Sequence, residues 1–192
     1  MARPREFDEE QVLDLAMEAF WRHGYEATSV SDLVEATGLA KGSLYKAFGD
    51  KHSLYLRVLQ RYLEGGYRHA RRTLFDAPDA MAGIQGWLDN AVGMAVCDLR
   101  KGCFGVNCTI ESAPHDDAVR ELLASNQERL DSLLEEVIAR GVERGELRAG
   151  LDPHVAALFV STVVSGLQVA GKAGASKQDA RAQAVLALSA LR

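Results

Sequence analysis

Apolar residues recur every three or four positions along most of the chain, and the alternating pattern of a β-strand is almost absent. The first such segment predicts a helix from about Asp8 to His23, which Gly24 ends. Its apolar face comprises Val12, Leu13, Ala16, Met17 and Phe20.

Capping residues, glycines and prolines divide the remaining chain into further helices. We predict them at about 29–37, 41–48, 50–72, 87–96, 103–112, 116–144, 153–171 and 176–191. The segment "DAPDAMAG" (76–83) is typical of a hinge. The pattern predicts an all-α protein with an N-terminal three-helix helix-turn-helix domain (1–50), a connecting helix (51–75) and a C-terminal helical bundle (76–192).

The short helix within "TGLAKGSLYKAFGDK" (37–51) has two different faces. Leu44 and Phe48 share an apolar side that can dock on the preceding helix, while Gly42 and Lys46 lie on the opposite side. With the tight turn at Gly38, this arrangement is typical of a helix-turn-helix whose second helix enters the major groove of DNA. A single short basic helix could also be a solvated surface, but the complete set of features favours DNA.

The formal net charge of −5 is unevenly distributed. The first 72 residues contain 11 Lys and Arg and 11 Asp and Glu, whereas the remaining residues contain 11 and 16. The N-terminal part can therefore carry a local basic face. Three cysteines without CxxC spacing disfavour a disulfide framework or a zinc site, and the charged start disfavours a signal peptide. We expect a reduced, cytoplasmic protein without a cofactor.

The segment "FWRHGYEATSVSDLVEATGLAKGSLYKAFGDKHSLYLRVL" (20–59) resembles the DNA-binding domain of the tetracycline-repressor-like (TetR/AcrR) family of bacterial transcriptional regulators. The resemblance implies an all-α homodimer with an N-terminal DNA-reading domain and a C-terminal domain for effector binding and dimerisation. Carried over by position, it implies DNA contacts by Thr28, Ser29, Lys41, Gly42, Ser43, Tyr45, Lys46 and Lys51. Tyr45 and Lys51 are expected at phosphates, and Gly42, Ser43 and Lys46 nearer the bases.

The last two predicted helices carry wide apolar surfaces interspersed with small residues. Two such helices from each subunit, near 153–171 and 176–191, can form a four-helix dimer interface. The alternative is that these surfaces belong to an intramolecular core. A dimer suits a palindromic operator, because its two reading helices can lie one turn of DNA apart.

The segment "RKGCFGVNCTIESAPHD" (100–116) is similar to one found in a subset of the family, some members of which respond to electrophiles or oxidants through a cysteine. Cys103 follows Arg100 and Lys101 near a predicted helix start, an environment that lowers the pKa of a thiol. We therefore consider Cys103 a candidate redox or electrophile sensor. The alternative is that Cys97, Cys103 and Cys108 are small buried hydrophobes.

A conventional effector pocket is a second hypothesis for the C-terminal part. Its candidate lining is Trp87, Asn90, Met94, Cys97, Phe104, Asn107 and Glu111, in which a few polar groups would orient an apolar molecule. The same spacing also suits plain core. The adjacent His115, Asp116 and Asp117 fit a solvated helix start better than a metal site.

These observations favour a DNA-binding regulator, expected to be a repressor released from a palindromic operator by a small-molecule effector or by cysteine modification. A helical protein–protein interaction module without DNA binding is the alternative. An enzyme is less favoured, because the sequence contains no Gly-rich phosphate loop, nucleophile elbow or HExxH helix. We expect DNA and a second copy of the chain as partners, and no membrane.

Overall fold

The computed structural model describes residues 7–95 and 101–192, and within these ranges the regular secondary structure is entirely α-helical. The helices are α1 (Glu9–His23), α2 (Val30–Thr37), α3 (Lys41–Phe48), α4 (Lys51–Phe75), α5 (Ala80–Ala95), α6 (Phe104–Glu111), α7 (Asp117–Glu143), α8 (Pro153–Lys172) and α9 (Lys177–Ser189). The all-α prediction is confirmed.

Local sequence signals account for most helix ends. Side-chain oxygens accept backbone N–H groups of the first turn at the N-caps of six helices: Asp8, Ser29, Asp50, Asp116, Asp152 and Ser176. At Ser29 the bond is reciprocal, because the carboxylate of Asp32 also accepts the N–H of Ser29. Gly38 ends α2 with a left-handed φ of 68°, which permits the sharp reversal into α3.

The buried side chains form two clusters, which we call the head core and the body core. The head core contains apolar residues of α1, α2, α3 and the first half of α4. Phe104, Cys108 and Ala113, from α6 and its C-terminal end, are also part of it, as is Val119 of α7. The body core joins the second half of α4 to α5, α7, α8 and α9. The predicted division of the chain at residues 50 and 75 remains a prediction, since α4 contributes to both cores.

Helix α8 packs closely on α5 through Gly171, where a Cβ atom would overlap the backbone carbonyl of Ala95. The outer surfaces of α8 and α9 nevertheless leave six large apolar side chains exposed: Val155, Leu158, Phe159, Val169, Val185 and Leu186. By length and composition alone, α8 would suffice to cross a membrane. In the fold it contacts α5, α7 and α9, as a helix of a globular bundle does.

Candidate nucleic-acid interface and adjoining cavity

Helix α3 shows the two faces that its sequence predicts. Leu44 and Phe48 are 1% and 4% exposed and belong to the head core. Four of the predicted DNA contacts are exposed on the other side of the helix: Lys41, Gly42, Ser43 and Lys46. Tyr45 is half-buried beside them. The helix is thus anchored by its apolar side while its polar side is available to a ligand.

The start of α3 differs from that of α2. Ala40 occupies the N-cap position and supplies no side-chain hydrogen bond to the first turn. The partial positive charge of the helix N-terminus therefore lies beside Lys41 and Gly42 without a capping side chain. Such a terminus is suited to an anion such as a phosphate group.

The lysines on this surface are free of ion pairs within the described residues. Lys41 and Lys46 flank the outer side of α3, and Lys51 begins α4 with its ammonium 4.3 Å from the centroid of the Tyr25 ring. By contrast, Arg57 and Arg61 of α4 pair with carboxylates of α1. Within the described residues, the charges of Lys41, Lys46 and Lys51 are therefore not neutralised by a carboxylate and remain available to a ligand.

The two hydroxyl residues before α2 have different environments. Ser29 is exposed, and its hydroxyl oxygen accepts the N–H of Asp32 in the capping box of α2. Thr28 is completely buried, and its hydroxyl donates to the carbonyl of Gly24 over 2.6 Å. This geometry argues against the predicted DNA contact by the Thr28 side chain, because its hydroxyl is used to close the α1–α2 turn.

A cavity of about 1450 Å³ lies between α4 and the helices packed around it. It adjoins the head, by which we mean α1, α2, α3 and the first half of α4. Trp87, Asn90 and Met94, which the sequence assigns to an effector pocket, line it. Cys103, which the sequence assigns to sensing and not to the pocket, lines it as well. The amide of Asn90 bonds the ring of His69. Its lining combines apolar and aromatic side chains with polar and charged ones, which suits an organic ligand that carries polar groups.

Three further residues assigned to the pocket point elsewhere, and the expectation that they line it is wrong. Phe104 is 2% exposed and packs in the head core. The side chain of Asn107 bonds the carbonyl of Lys101 and the ammonium of Lys172, and Glu111 bonds the α1–α2 turn. Cys97 lies outside the described residues.

Helix α4 contributes to the cavity wall, which the sequence did not predict. Tyr62, Gly65, Gly66 and His69 lie along one side of α4 and line the space. Their spacing of three or four residues was visible in the sequence. The sequence did not show which neighbouring helices this side of α4 would face, because that depends on the packing of α5 and α7.

Cys103 lies at the N-cap of α6, with its sulfur 3.3 Å from the hydroxyl of Tyr62. Burial raises the pKa of the Tyr62 phenol well above its usual value, and the neighbouring thiol adds to this effect. The ammonium of Lys101 pairs with Glu18, so this expected activator of the thiol already has an anionic partner. Arg100 lies outside the described residues.

Cys108 has the environment of an inert core residue. It is 1% exposed, its sulfur lies 3.0 Å from the Tyr55 hydroxyl, and burial raises the pKa of the thiol to about 12. A thiol with this pKa is almost entirely protonated at neutral pH and is a poor nucleophile. Of the two cysteines that the structure describes, only Cys103 combines partial exposure with a place in the cavity wall.

The run His115, Asp116 and Asp117 provides a helix cap. Asp116 accepts the N–H groups of Ala118 and Val119 and lies 2.6 Å from the ring nitrogen of His52. Burial alone would raise the pKa of the Asp116 carboxyl, but these partners hold it below its usual value. No group of three or more potential metal ligands occurs among residues 7–95 and 101–192.

Comparison with known proteins adds independent information. The model described as "Bacterial regulatory proteins, tetR family" matches residues 12–58, and that described as "Tetracyclin repressor-like, C-terminal domain" matches residues 80–186. The HTH-type transcriptional repressor ComR of Escherichia coli K12 is 32% identical over 179 residues, which cover 91% of this chain and 84% of ComR.

Solved structures are similar over nearly all of the chain. A cysteine mutant of the TetR family transcriptional regulator CifR, complexed with 26-bp operator DNA, is 34% identical, with a TM-score of 0.87 and complete coverage of both chains. The reduced form of E. coli NemR has a TM-score of 0.84, covers 93% of each chain and is 17% identical, so it supports the fold alone.

Proposed function

The chain belongs to the tetR family of bacterial regulatory proteins, and from this premise we propose that it represses transcription by binding a palindromic operator as a homodimer. It is a DNA-binding transcriptional regulator. The observation that carries the proposal is the outer surface of α3, where Lys41 and Lys46 are exposed and free of ion pairs within the described residues. This surface disfavours an interaction module that does not bind DNA.

In this proposal α3 enters the major groove. Gly42, Ser43 and Lys46 lie toward the bases, while Lys41, Tyr45 and Lys51 contact phosphates. Ser29, an exposed residue at the start of α2, adds a phosphate contact. The relative CifR was solved with operator DNA, which supports a similar use of this domain here.

Dimerisation is proposed to occur through α8 and α9. Their six exposed apolar side chains form a surface that a second copy would cover, as in a four-helix interface. Such a dimer places two reading helices against the two halves of a palindrome. We propose that the protein works in the cytoplasm, where the operator is.

The cavity is the proposed effector site. A ligand can release the protein from DNA only if it binds the DNA-free arrangement of the heads more tightly than the DNA-bound one. The cavity is lined by α4, which continues directly into the head, and by α6, which packs against the head. Occupation of the cavity therefore acts on both elements that hold the head.

Modification of Cys103 is a second proposed route to release. Its thiol lines the same cavity, so an adduct would occupy part of the space that an effector fills. Treatment with N-ethylmaleimide should weaken operator binding by the wild type and spare Cys103→Ser. An equal response of Cys103→Ser would contradict a sensing role for this cysteine.

The central experiment selects bound sequences from a random DNA pool and then measures binding of the recovered operator across a salt series. Wild-type affinity should fall steeply with salt, because phosphate contacts release counterions. Lys51→Ala should reduce the salt slope by about one per head. The matched control is Arg71→Ala, an exposed cation on the same helix, 20 residues or roughly 30 Å further along.

Recovery of no preferred sequence by the wild type would contradict the proposed function. An equal effect of Lys51→Ala and Arg71→Ala on the salt slope would contradict the assigned surface. Sedimentation of the wild type and of Phe159→Glu tests the dimer separately, since a charge buried in that interface should produce monomers.

A further inference from the structure

We infer that Glu111 is a positioning residue, which couples the cavity to the DNA-reading head by holding the turn between α1 and α2. This inference rests on the proposed function. It assigns to α6 a direct polar contact with the head, in addition to the route through α4.

Glu111 is the last residue of α6, and its carboxylate reaches a segment 86 residues earlier in the chain. One oxygen accepts the backbone N–H of Tyr25 over 2.8 Å and that of Glu26 over 3.4 Å. Hydrogen bonds to an ionised acceptor are stronger than those between neutral groups. The turn therefore has a preferred position relative to α6.

Gly24 provides the space for this contact. A Cβ atom at Gly24 would lie 2.5 Å from the nearer carboxylate oxygen of Glu111. The backbone of Gly24 also has a φ of 80°, which side chains disfavour. The absence of a side chain at Gly24, the C-cap of α1, therefore leaves room for the carboxylate of Glu111.

The held turn leads directly to predicted DNA contacts. The carbonyl of Gly24 accepts the Thr28 hydroxyl, and Ser29 follows as the N-cap of α2. The ring of Tyr25 lies under the ammonium of Lys51. A displacement of the turn therefore moves both Ser29 and Lys51 relative to α3.

Helix α6 divides its residues between the head and the cavity. Phe104, Cys108 and Glu111, spaced four and three apart, face the head. Val106 and Thr109 line the cavity on another side of the same two-turn helix. Because a helix of eight residues moves as one body, a ligand that pushes this side displaces Glu111 from the turn.

The test compares four variants for operator affinity and for hydrogen exchange at the amides of Tyr25 and Glu26. Glu111→Ala removes the acceptor, Glu111→Asp keeps the charge but withdraws it by one methylene, and Glu111→Gln keeps an oxygen acceptor at the same reach. Glu121→Ala, an exposed glutamate of α7 without a bond in the described part of the chain, controls for the loss of a negative charge.

We expect Glu111→Ala and Glu111→Asp to lose about tenfold in operator affinity and to exchange the two amides faster, as loss of a hydrogen bond to a charged acceptor predicts. Glu111→Gln should show a smaller loss of affinity and protection, because it keeps the acceptor without the charge, and Glu121→Ala should show none. Wild-type affinity in Glu111→Ala overturns the inference. If that variant fails to unfold cooperatively, Glu111→Asp decides in its place.

A cavity-filling variant then tests the coupling. Val106→Trp occupies the cavity from α6 and should weaken operator binding by the otherwise wild-type protein. The same substitution should cost less when combined with Glu111→Asp, because the contact is already weakened. An equal cost in both backgrounds, or no cost in either, overturns the inference. In each of these outcomes the wild type still selects an operator, whereas failure of the proposed function removes that selection itself.

Discussion

Gly42→Ala should separate the folding of α3 from its use as a reading helix. Gly42 is exposed in the first turn of α3, and a Cβ atom built there meets no other atom within 4 Å. The folded state therefore has room for alanine without any rearrangement. Alanine is favoured over glycine within a helix by about 1 kcal/mol at most. We expect the free energy of unfolding to rise by up to about 1 kcal/mol, and Tm by about 2–4 °C.

The same methyl group should weaken operator binding. In the proposed complex the backbone at Gly42 lies close to the bases, so the added carbon must displace α3 or a base contact. Loss of one good base contact costs about 1–3 kcal/mol, which corresponds to a decrease in affinity of roughly 5- to 150-fold per head. Thermal unfolding and fluorescence anisotropy with labelled operator measure the two effects on the same sample.

Gly93→Ala is the matched control for this experiment. Gly93 is also helical and exposed, has no atom within 4 Å of its virtual Cβ, and lies on α5 of the body. It should show the gain in stability and no loss of affinity. Wild-type operator affinity in Gly42→Ala would refute the close approach to DNA. A lowered Tm of Gly42→Ala would show that the position has no room for a methyl group.

Three further predictions test the packing, a hydrogen bond and a titration. Gly171→Ala should lower the free energy of unfolding by about 1–3 kcal/mol in chemical denaturation, because its methyl group would overlap the Ala95 carbonyl; a gain like that of Gly93→Ala would contradict this. Thr28→Val should lose about 1 kcal/mol of stability and keep the operator affinity of the folded protein, whereas a selective loss of affinity would restore the hydroxyl as a DNA contact. The pKa of His154 should exceed 6.5 in an NMR titration, because Glu135 accepts its ring N–H, and should return toward 6.5 in Glu135→Gln. Since folding raises this pKa, the pair stabilises the protein below about pH 6.5 and loses that effect as pH rises through the folded value; equal His154 pKa values in both proteins would contradict the pairing.

Most helix ends were predictable from the sequence because their signals are local; the exception is α5, which begins at Ala80, inside the segment predicted as a hinge. Ser29 caps α2 and Gly38 ends it through groups within a few residues, and α3 has the predicted bounds of Lys41 and Phe48. The same applies to the faces of α3, since helical periodicity alone places Leu44 and Phe48 opposite Gly42. The outward surface of the candidate DNA site therefore needed no knowledge of the rest of the chain.

Tertiary structure decided the partners of residues far apart in sequence. Glu111 and Asn107 matched a pocket by residue type, but the rotation of α6 about its axis directs Glu111 to the α1–α2 turn and engages Asn107 with Lys101 and Lys172. Thr28 is withdrawn from any surface by the burial of that turn. These outcomes depend on how α6 packs between the head and the cavity, which is a balance of many contacts along the whole chain. Local patterns determine which groups a helix presents, and only packing determines what they meet.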